Sequence, residues 1–176
     1  MSQYAIMVDI ERCLGCRSCE TSCKVENGAT KTRNKVVRID PKAGSRLSFM
    51  SMPCMHCEQP ACRQACPTGA IFKRADDGVV LIDQSKCIGC RFCAWACPYG
   101  AMGFDEERNV ADKCTYCAHR LARGEDPACV TKCPGHALSF GKVEVLGAQA
   151  RSQGRSVLNI DAGTKPSTFF LARTKA

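Results

Sequence analysis

The sequence predicts an α+β fold of short strands and short helices repeated around several small centres, and three observations predict it. Cysteine supplies 16 of the 176 residues, about 9%, the level at which a disulfide or metal framework is indicated. The sixteen fall into four groups of four, an internal repeat that sets the architecture ahead of any single element. Each of the last three groups is followed by a short apolar run of strand type: Ala70-Ile71-Phe72, Ala101-Met102-Gly103-Phe104 and Ala137-Leu138-Ser139-Phe140. The apolar share is 45% with cysteine and about 36% without it. That is thin for this length, so a purely hydrophobic core is not expected to supply all the stability.

From the N-terminus, Tyr4 to Asp9 alternates enough to form a strand leading into the first cysteine loop. Val36-Val37-Arg38-Ile39, a Pro41-to-Gly44 turn and Arg46 to Met52 predict a hairpin. Asp77-Gly78, set between Gly69-Ala70-Ile71-Phe72 and Val79 to Ile82, predicts a second one, because that dipeptide accepts the backbone angles of a tight turn. Ala118 to Ala128, with Gly124 and Pro127, reads as a helical start that breaks into a loop. Beyond Phe140, Lys142 to Leu146 is expected to extend a strand and Ala148 to Ser156 to form a short polar helix.

The first cysteine group is Cys13, Cys16, Cys19 and Cys23, spaced C-x2-C-x2-C-x3-C. The second, Cys54, Cys57, Cys62 and Cys66, has an x4 step in the middle and is followed by Pro67. The third, Cys87, Cys90, Cys93 and Cys97, repeats the first spacing and adds Pro98. The fourth, Cys114, Cys117, Cys129 and Cys133, has a wide x11 gap and ends at Pro134. Three chemistries compete for this pattern. Disulfides need an oxidising compartment, and Met1 to Ile10 carries Asp9 and lacks the basic head and apolar stretch of a secretory signal. Zinc prefers two C-x2-C knuckles a dozen or more residues apart, which only the fourth group resembles. The bacterial iron–sulfur run C-x2-C-x2-C-x3-C-P matches the third group at every position.

The spacing has a mechanical reason. Three cysteines at three-residue intervals can converge on one cluster, with backbone N–H groups turned inward as an anion-binding concavity. A fourth cysteine lies about 6 Å further along if the segment is helical, and reaches a second cluster instead. The following proline fixes its own φ and helps end the helical turn. Cys23 is followed by Lys24, so the first group leaves its helix differently.

Lys and Arg exceed Asp and Glu by 8, which taken bare would suggest a nucleic-acid or membrane-surface partner. A [4Fe–4S] cluster held by four thiolates carries about −2 in its oxidised state, so four of them cancel the excess and no nucleic acid is expected. No apolar run reaches membrane-spanning length. Dinucleotide and nucleoside-triphosphate motifs are absent, and nothing resembles a hydrolytic triad. With every cysteine used as a ligand, each cluster is coordinatively full. The expected work is electron transfer, without catalysis by the protein alone.

From Val8 to Phe140, the order of the groups, the x4 and x11 gaps and the string Cys57-Glu58-Gln59-Pro60-Ala61-Cys62 carry a resemblance. The chain resembles the four-cluster iron–sulfur electron-transfer subunit of molybdenum- and tungsten-pterin oxidoreductases. These include dimethyl sulfoxide and polysulfide reductases and formate dehydrogenases, with similar small subunits in tungsten aldehyde oxidoreductases. The resemblance implies two nested bacterial-ferredoxin-like modules with hairpin insertions and a C-terminal arm. Residues 1–45 and 110–146 would form the outer module, 46–109 the inner one and 147–176 the arm. It implies four [4Fe–4S] clusters: Cys13, Cys16, Cys19 and Cys133 for the first; Cys23, Cys114, Cys117 and Cys129 for the second; Cys54, Cys57, Cys62 and Cys97 for the third; Cys66, Cys87, Cys90 and Cys93 for the fourth. The partners it implies are a large Mo- or W-pterin catalytic subunit, near the outer module, and either a further redox subunit (flavin or membrane quinone-reactive) or a soluble acceptor. The location it implies is cytoplasmic, or periplasmic if a twin-arginine partner exports the pair. A free polyferredoxin and a cluster-based redox sensor are the alternatives.

Other features have plainer readings. His56, inside Cys54-Met55-His56-Cys57, is expected to hydrogen-bond near a cluster or sit on the surface, since the thiols fill the ligand positions. His119 and His136 receive no catalytic role. Trp95 is expected to shield its cluster from water. Lys31, Arg33, Lys35, Arg38, Lys42 and Arg46 form either a solvated face or a patch that steers an acidic redox partner. Thr164 to Leu171 is either a tail tucked on its own core or a docking arm for another subunit.

Overall fold

The computed structural model describes residues 3–29, 31–40 and 47–172. The predicted Pro41-to-Gly44 turn, Lys42 and Arg46 lie outside them. The first strand, β1 (Tyr4–Asp9), leads into the first cysteine loop, and α1 (Ser18–Asn27) follows. This helix is ten residues long and closes on Gly28 in the left-handed region, whose N–H caps the last turn. The hairpin β2 (Lys35–Ile39) and β3 (Ser48–Met52) comes next, then the short helix α2 (Ala61–Gln64). The hairpin β4 (Ile71–Lys73) and β5 (Val80–Ile82) precedes α3 (Phe92–Ala96), and a further hairpin, β6 (Met102–Asp105) and β7 (Val110–Lys113), precedes α4 (Ala118–Leu121). The chain then forms α5 (Ala128–Thr131), β8 (Leu138–Lys142), α6 (Val143–Ser152) and β9 (Phe169–Leu171). The architecture is α+β.

Helix length follows the punctuation. The groups followed by Pro67, Pro98 and Pro134 carry helices of four, five and four residues, because proline cannot donate to the preceding turn and clashes with it. Lys24 lets α1 run on past Cys23.

The central sheet has the order β8-β1-β9. β1 runs antiparallel to β8, with Ile6 opposite Phe140, and parallel to β9, with Val8 opposite Phe170. Its alternating side chains serve two cores. Ile6, Val8 and Ile10 join a cluster that includes Cys19, Cys54, Cys114, Cys129 and Tyr116. Ala5 and Met7 face α6, where Leu146 and Ala150 stand four apart on one side. That burial explains a departure from expectation. The strand stops at Lys142 and helix occupies 143–152, where the sequence alone suggested strand to Leu146 and helix from Ala148.

Two helix pairs organise the cysteines: α1 packs on α5, and α2 on α3. The β2–β3 hairpin leans on the first loop. A Cβ built on Gly15 (φ +68) would lie 2.5 Å from the Phe49 ring, so only glycine fits that turn. The C-terminal segment folds back on the protein's own core. The Ser167 and Thr168 N–H groups donate to the Met55 carbonyl, and those of Glu58 and Gln59 donate to the carbonyls of Lys165 and Thr164. Arg155 anchors the segment before it, reaching Asp9 at 3.0 Å and Glu11 at 3.1 Å. Of the two readings of Thr164 to Leu171, the self-packed one describes the structure.

Candidate iron–sulfur centres

All sixteen cysteines are free thiols. Three cavities are each walled by four of them. One is lined by Cys13, Cys16, Cys19 and Cys133 with Val36, Pro134 and Leu138. A second has Cys54, Cys57, Cys62 and Cys97 with His56, Val80 and Thr164. A third has Cys66, Cys87, Cys90 and Cys93 with Ile71, Ile82 and Ile88. The three are alike in size, each a small cavity of about 20 Å³. Every one draws three cysteines from one sequence group and one from another. The remaining four, Cys23, Cys114, Cys117 and Cys129, are all buried, and each lies close enough to others of the set for their charges to raise its pKa or theirs.

Among the described residues, no three of His, Cys, Asp and Glu form a site for a single metal ion. Four sulfur donors around an open volume are instead the donor set that an iron–sulfur cluster takes. Such a cluster, once bound, accepts and releases one electron at a time.

The loops are shaped by unusual backbone. Arg17 and Arg91, at matching places after Cys16 and Cys90, have φ of 60° and 63°, and His56, Tyr116 and Cys117 are also positive. Alternation of right- and left-handed residues turns successive N–H groups to one side. Several reach sulfur: the Ala137 N–H donates to Cys133 Sγ at 3.3 Å, that of Ala111 to Cys87 Sγ at 3.4 Å, and that of Tyr116 to Cys114 Sγ at 3.5 Å. The Ser51 hydroxyl donates to Cys19 Sγ at 3.6 Å, and is itself held by Asn34.

Burial pushes the Cys62 and Cys114 thiols up to about 12, nearby Cys54 adding to the rise and the Lys113 ammonium opposing it. Burial also raises Cys13, Cys19, Cys23, Cys57, Cys93 and Cys129. Without a cluster these thiols keep their protons, so loading one displaces protons as it binds. Cys66 differs. Burial raises it, but the backbone N–H of Ile71, the Thr68 hydroxyl and the N–H groups of Thr68 and Ala70 together bring it down.

His56 is buried, which removes the surface alternative. Its Nδ1 accepts from the Val80 N–H at 3.0 Å, and its ring stacks on Tyr116 with centroids 3.7 Å apart. Burial, then the ammonium groups of Lys113 and Lys73, hold its pKa well below the usual histidine range. The ring is therefore neutral, and Nε2 has no hydrogen-bond partner among the described residues. The stack joins the Cys54–Cys57 loop to the Cys114–Cys117 loop. His119 is exposed and meets Glu26, and His136 is exposed. Trp95 does not shield a cavity: it is 84% exposed and touches Phe92, while Ile88 lines the Cys66 cavity. A short helix followed closely by Pro98 presents Trp95 to the outside. The basic run is partly neutralised, Arg33 pairing with Asp112 at 2.7 Å and Lys31 with Glu106 at 3.6 Å.

Sequence reasoning missed Lys113, Tyr116 and Thr168. Lys113 is 1% exposed, and its Nζ donates to the carbonyls of Val80 and Cys114. Thr168 donates to the Cys54 carbonyl and shares a hydrogen bond with the Tyr116 hydroxyl. For Lys113 the available signal was weak, because Lys24, Lys86 and Lys132 also adjoin cysteines and are exposed.

Comparison with known proteins points to iron–sulfur clusters as well. The model of the 4Fe-4S dicluster domain family matches residues 45–143. The chain is 37% identical to the B subunit of the sulfite dehydrogenase of Allochromatium vinosum, over 99% of this chain and 85% of that protein. It is 36% identical to the B subunit of the tetrathionate reductase of Salmonella typhimurium, over 96% of this chain and 72% of that protein. It is 40% identical to the B component of the anaerobic dimethyl sulfoxide reductase of Escherichia coli, over 82% of this chain and 76% of that protein. The chain therefore belongs to the iron–sulfur electron-transfer subunits of the molybdenum-pterin oxidoreductases. It works in an oxidoreductase complex and is not a catalyst alone. Among the described residues no helix is long and apolar enough to cross a membrane.

Proposed function

We propose that the chain holds four [4Fe–4S] clusters with the ligand sets Cys13/Cys16/Cys19/Cys133, Cys23/Cys114/Cys117/Cys129, Cys54/Cys57/Cys62/Cys97 and Cys66/Cys87/Cys90/Cys93, and passes single electrons along them in that order. One observation carries the proposal: three cavities of similar volume, each walled by four cysteines taken from two sequence groups. The order rests on shared elements. α1 bears Cys19 and Cys23, so it joins the first set to the second, and α2 and the Cys93–Cys97 segment join the third to the fourth. The His56–Tyr116 stack lies between the second and third.

Residues 1–45 and 110–146 form the outer module in this reading, 46–109 the inner one and 147–176 the arm. The β2–β3 hairpin and α6 each straddle a boundary. Each end of the path has an exposed cysteine beside exposed apolar residues, Cys16 with Leu14 and Cys90 with Ile88 and Phe92. The outer end meets a large Mo- or W-pterin subunit. The inner end meets a flavin or quinone-reactive subunit or a soluble acceptor. The relatives are named for sulfite, tetrathionate and dimethyl sulfoxide, which makes sulfur oxo-compounds the first substrate class to test for the partner. The chain works in the cytoplasm unless an exported partner carries it out.

Metal analysis after anaerobic purification tests the core of this. About 16 iron per chain are expected; about four, with zinc, would defeat the four-cluster reading. Affinity purification from the native host tests the assembly. A large subunit with molybdenum or tungsten is expected, and recovery of the chain alone would favour a free carrier.

A further inference from the structure

A buried ammonium stands between the second and third cysteine sets, with no carboxylate to balance it among the described residues. Lys113 closes β7, immediately before Cys114, and its side chain is 1% exposed. Its Nζ has two acceptors, the carbonyl of Cys114 at 2.9 Å and that of Val80 on β5. Both acceptors are neutral, and among the described residues no Asp or Glu pairs with it. A charge taken out of water at this depth is costly unless an opposite charge compensates it.

The surroundings name the compensation. Val80 lines the cavity of Cys54, Cys57, Cys62 and Cys97, so the ammonium sits behind that wall. Its other anchor is the backbone of Cys114, a member of the neighbouring set. Lys73 has a similar pattern on the far side of the same loop. Its Nζ donates to the Cys57 carbonyl at 3.1 Å, to Gly78 and to Gln3, but it is only half-buried.

We propose that Lys113 is the fixed counter-charge of the second and third clusters, stabilising their reduced states and so setting the potential at the step between the two modules. This rests on the four-cluster reading above. Lys113 touches no reacting atom; it is a positioning residue that acts through the field it imposes. Adding an electron makes a cluster more negative by one unit, and a cation held at fixed distance in a low-dielectric site favours that state. No bond is made or broken and no proton need move.

The test is a low-temperature paramagnetic redox titration of the full chain, purified anaerobically with whatever subunits accompany it. Lys113→Gln keeps N–H donors for the two carbonyls and removes the charge, whereas Lys113→Arg keeps the charge. With Lys113→Gln, one or two of the clusters are expected to become at least tenfold harder to reduce, which is about 59 mV for one electron, while the others stay unchanged. Lys113→Arg is expected to restore the parental titration. A Lys113→Gln protein with parental iron content and unmoved potentials would overturn the proposal and leave the lysine as a structural tie. If Lys113→Gln cannot hold iron where Lys113→Arg can, the charge is needed and the proposal stands; if both lose it, geometry alone is at stake and the proposal fails. The parent reports separately on the four-cluster reading. If its iron content and signals do not amount to four clusters, that reading fails before Lys113 is at issue.

Discussion

Cys23, Cys114, Cys117 and Cys129 are all buried, while Cys66, Cys87, Cys90 and Cys93 form a rim set in which only Cys93 is buried and Cys90 is exposed, with exposed Ile88 and Phe92 beside it. The buried set takes its members from α1, the loop between β7 and α4, and α5, which also contribute to the core under the central sheet. The rim set hangs from two short helices and the edges of two hairpins. The difference teaches that thiols in one chain serve two ends. In the interior they replace the hydrophobic core that the composition lacks, and two of the set, Cys114 and Cys129, belong to the main core cluster. At the rim they hold a redox centre where a partner can approach it. Electron transfer needs the second kind at each end, and folding needs the first kind between them.

The largest effect expected from this contrast is on folding. Cys114→Ser is expected to remove a cluster from the interior and unfold the chain at ambient temperature, because a structural metal site contributes its binding free energy to folding. Cys90→Ser is expected to keep the fold and roughly three-quarters of the iron. Iron per chain and circular-dichroism melting under argon check both. Equal losses of structure in the two variants would break the comparison.

How much of this was legible in the sequence depends on the range of the interactions. Spacing and proline are local, so the cysteine groups, the short helices, the β2–β3 and β4–β5 hairpins and the strands β6 and β8 could be read directly. β7 was not anticipated, because Val110 to Lys113 is too short and too mixed to stand out. The extent of α6 was misjudged because it is set by Leu146 and Ala150 meeting Ala5 and Met7, which lie far away along the chain. The burial of Lys113 and the exposure of Trp95 are likewise tertiary facts. A lysine beside a cysteine looks the same in sequence whether it points inward, as at 113, or outward, as at 24, 86 and 132.

A smaller effect sharpens the account of the rim. Its loop is braced by backbone contact instead of burial: a Cβ on Gly89 would lie 2.7 Å from the Asn109 carbonyl oxygen, at φ +70. Gly100, at φ +59, has nothing within 4 Å of that position. Gly100→Ala should therefore cost only the left-handed backbone strain, about 1 kcal/mol. Gly89→Ala adds a clash with backbone that cannot swing aside, and should cost about 3 kcal/mol in all. Chemical denaturation of the iron-loaded protein measures the pair. If the two substitutions cost the same, the turn of the β6–β7 hairpin does not brace the rim loop.

The smallest effect concerns what the interior has and the rim lacks, a strap from the C-terminal segment. Thr168 is fully buried, and its hydroxyl lies 2.5 Å from the Tyr116 hydroxyl and 3.0 Å from the Cys54 carbonyl. It therefore ties the loops of the two inner cysteine sets to each other. Thr168→Val keeps the shape and leaves both groups without their partner in a dry site, a loss of about 2 kcal/mol. Thr168→Ser, which retains the hydroxyl, should lose less than half of that. Limited proteolysis of residues 164–171 should follow the same ranking, since the segment is held by these bonds and by the short parallel pairing of β9 with β1. A Thr168→Val protein as stable and as protease-resistant as the parent would mean that backbone pairing alone holds the strap, and that the side-chain link between the two inner loops adds nothing to the difference between interior and rim.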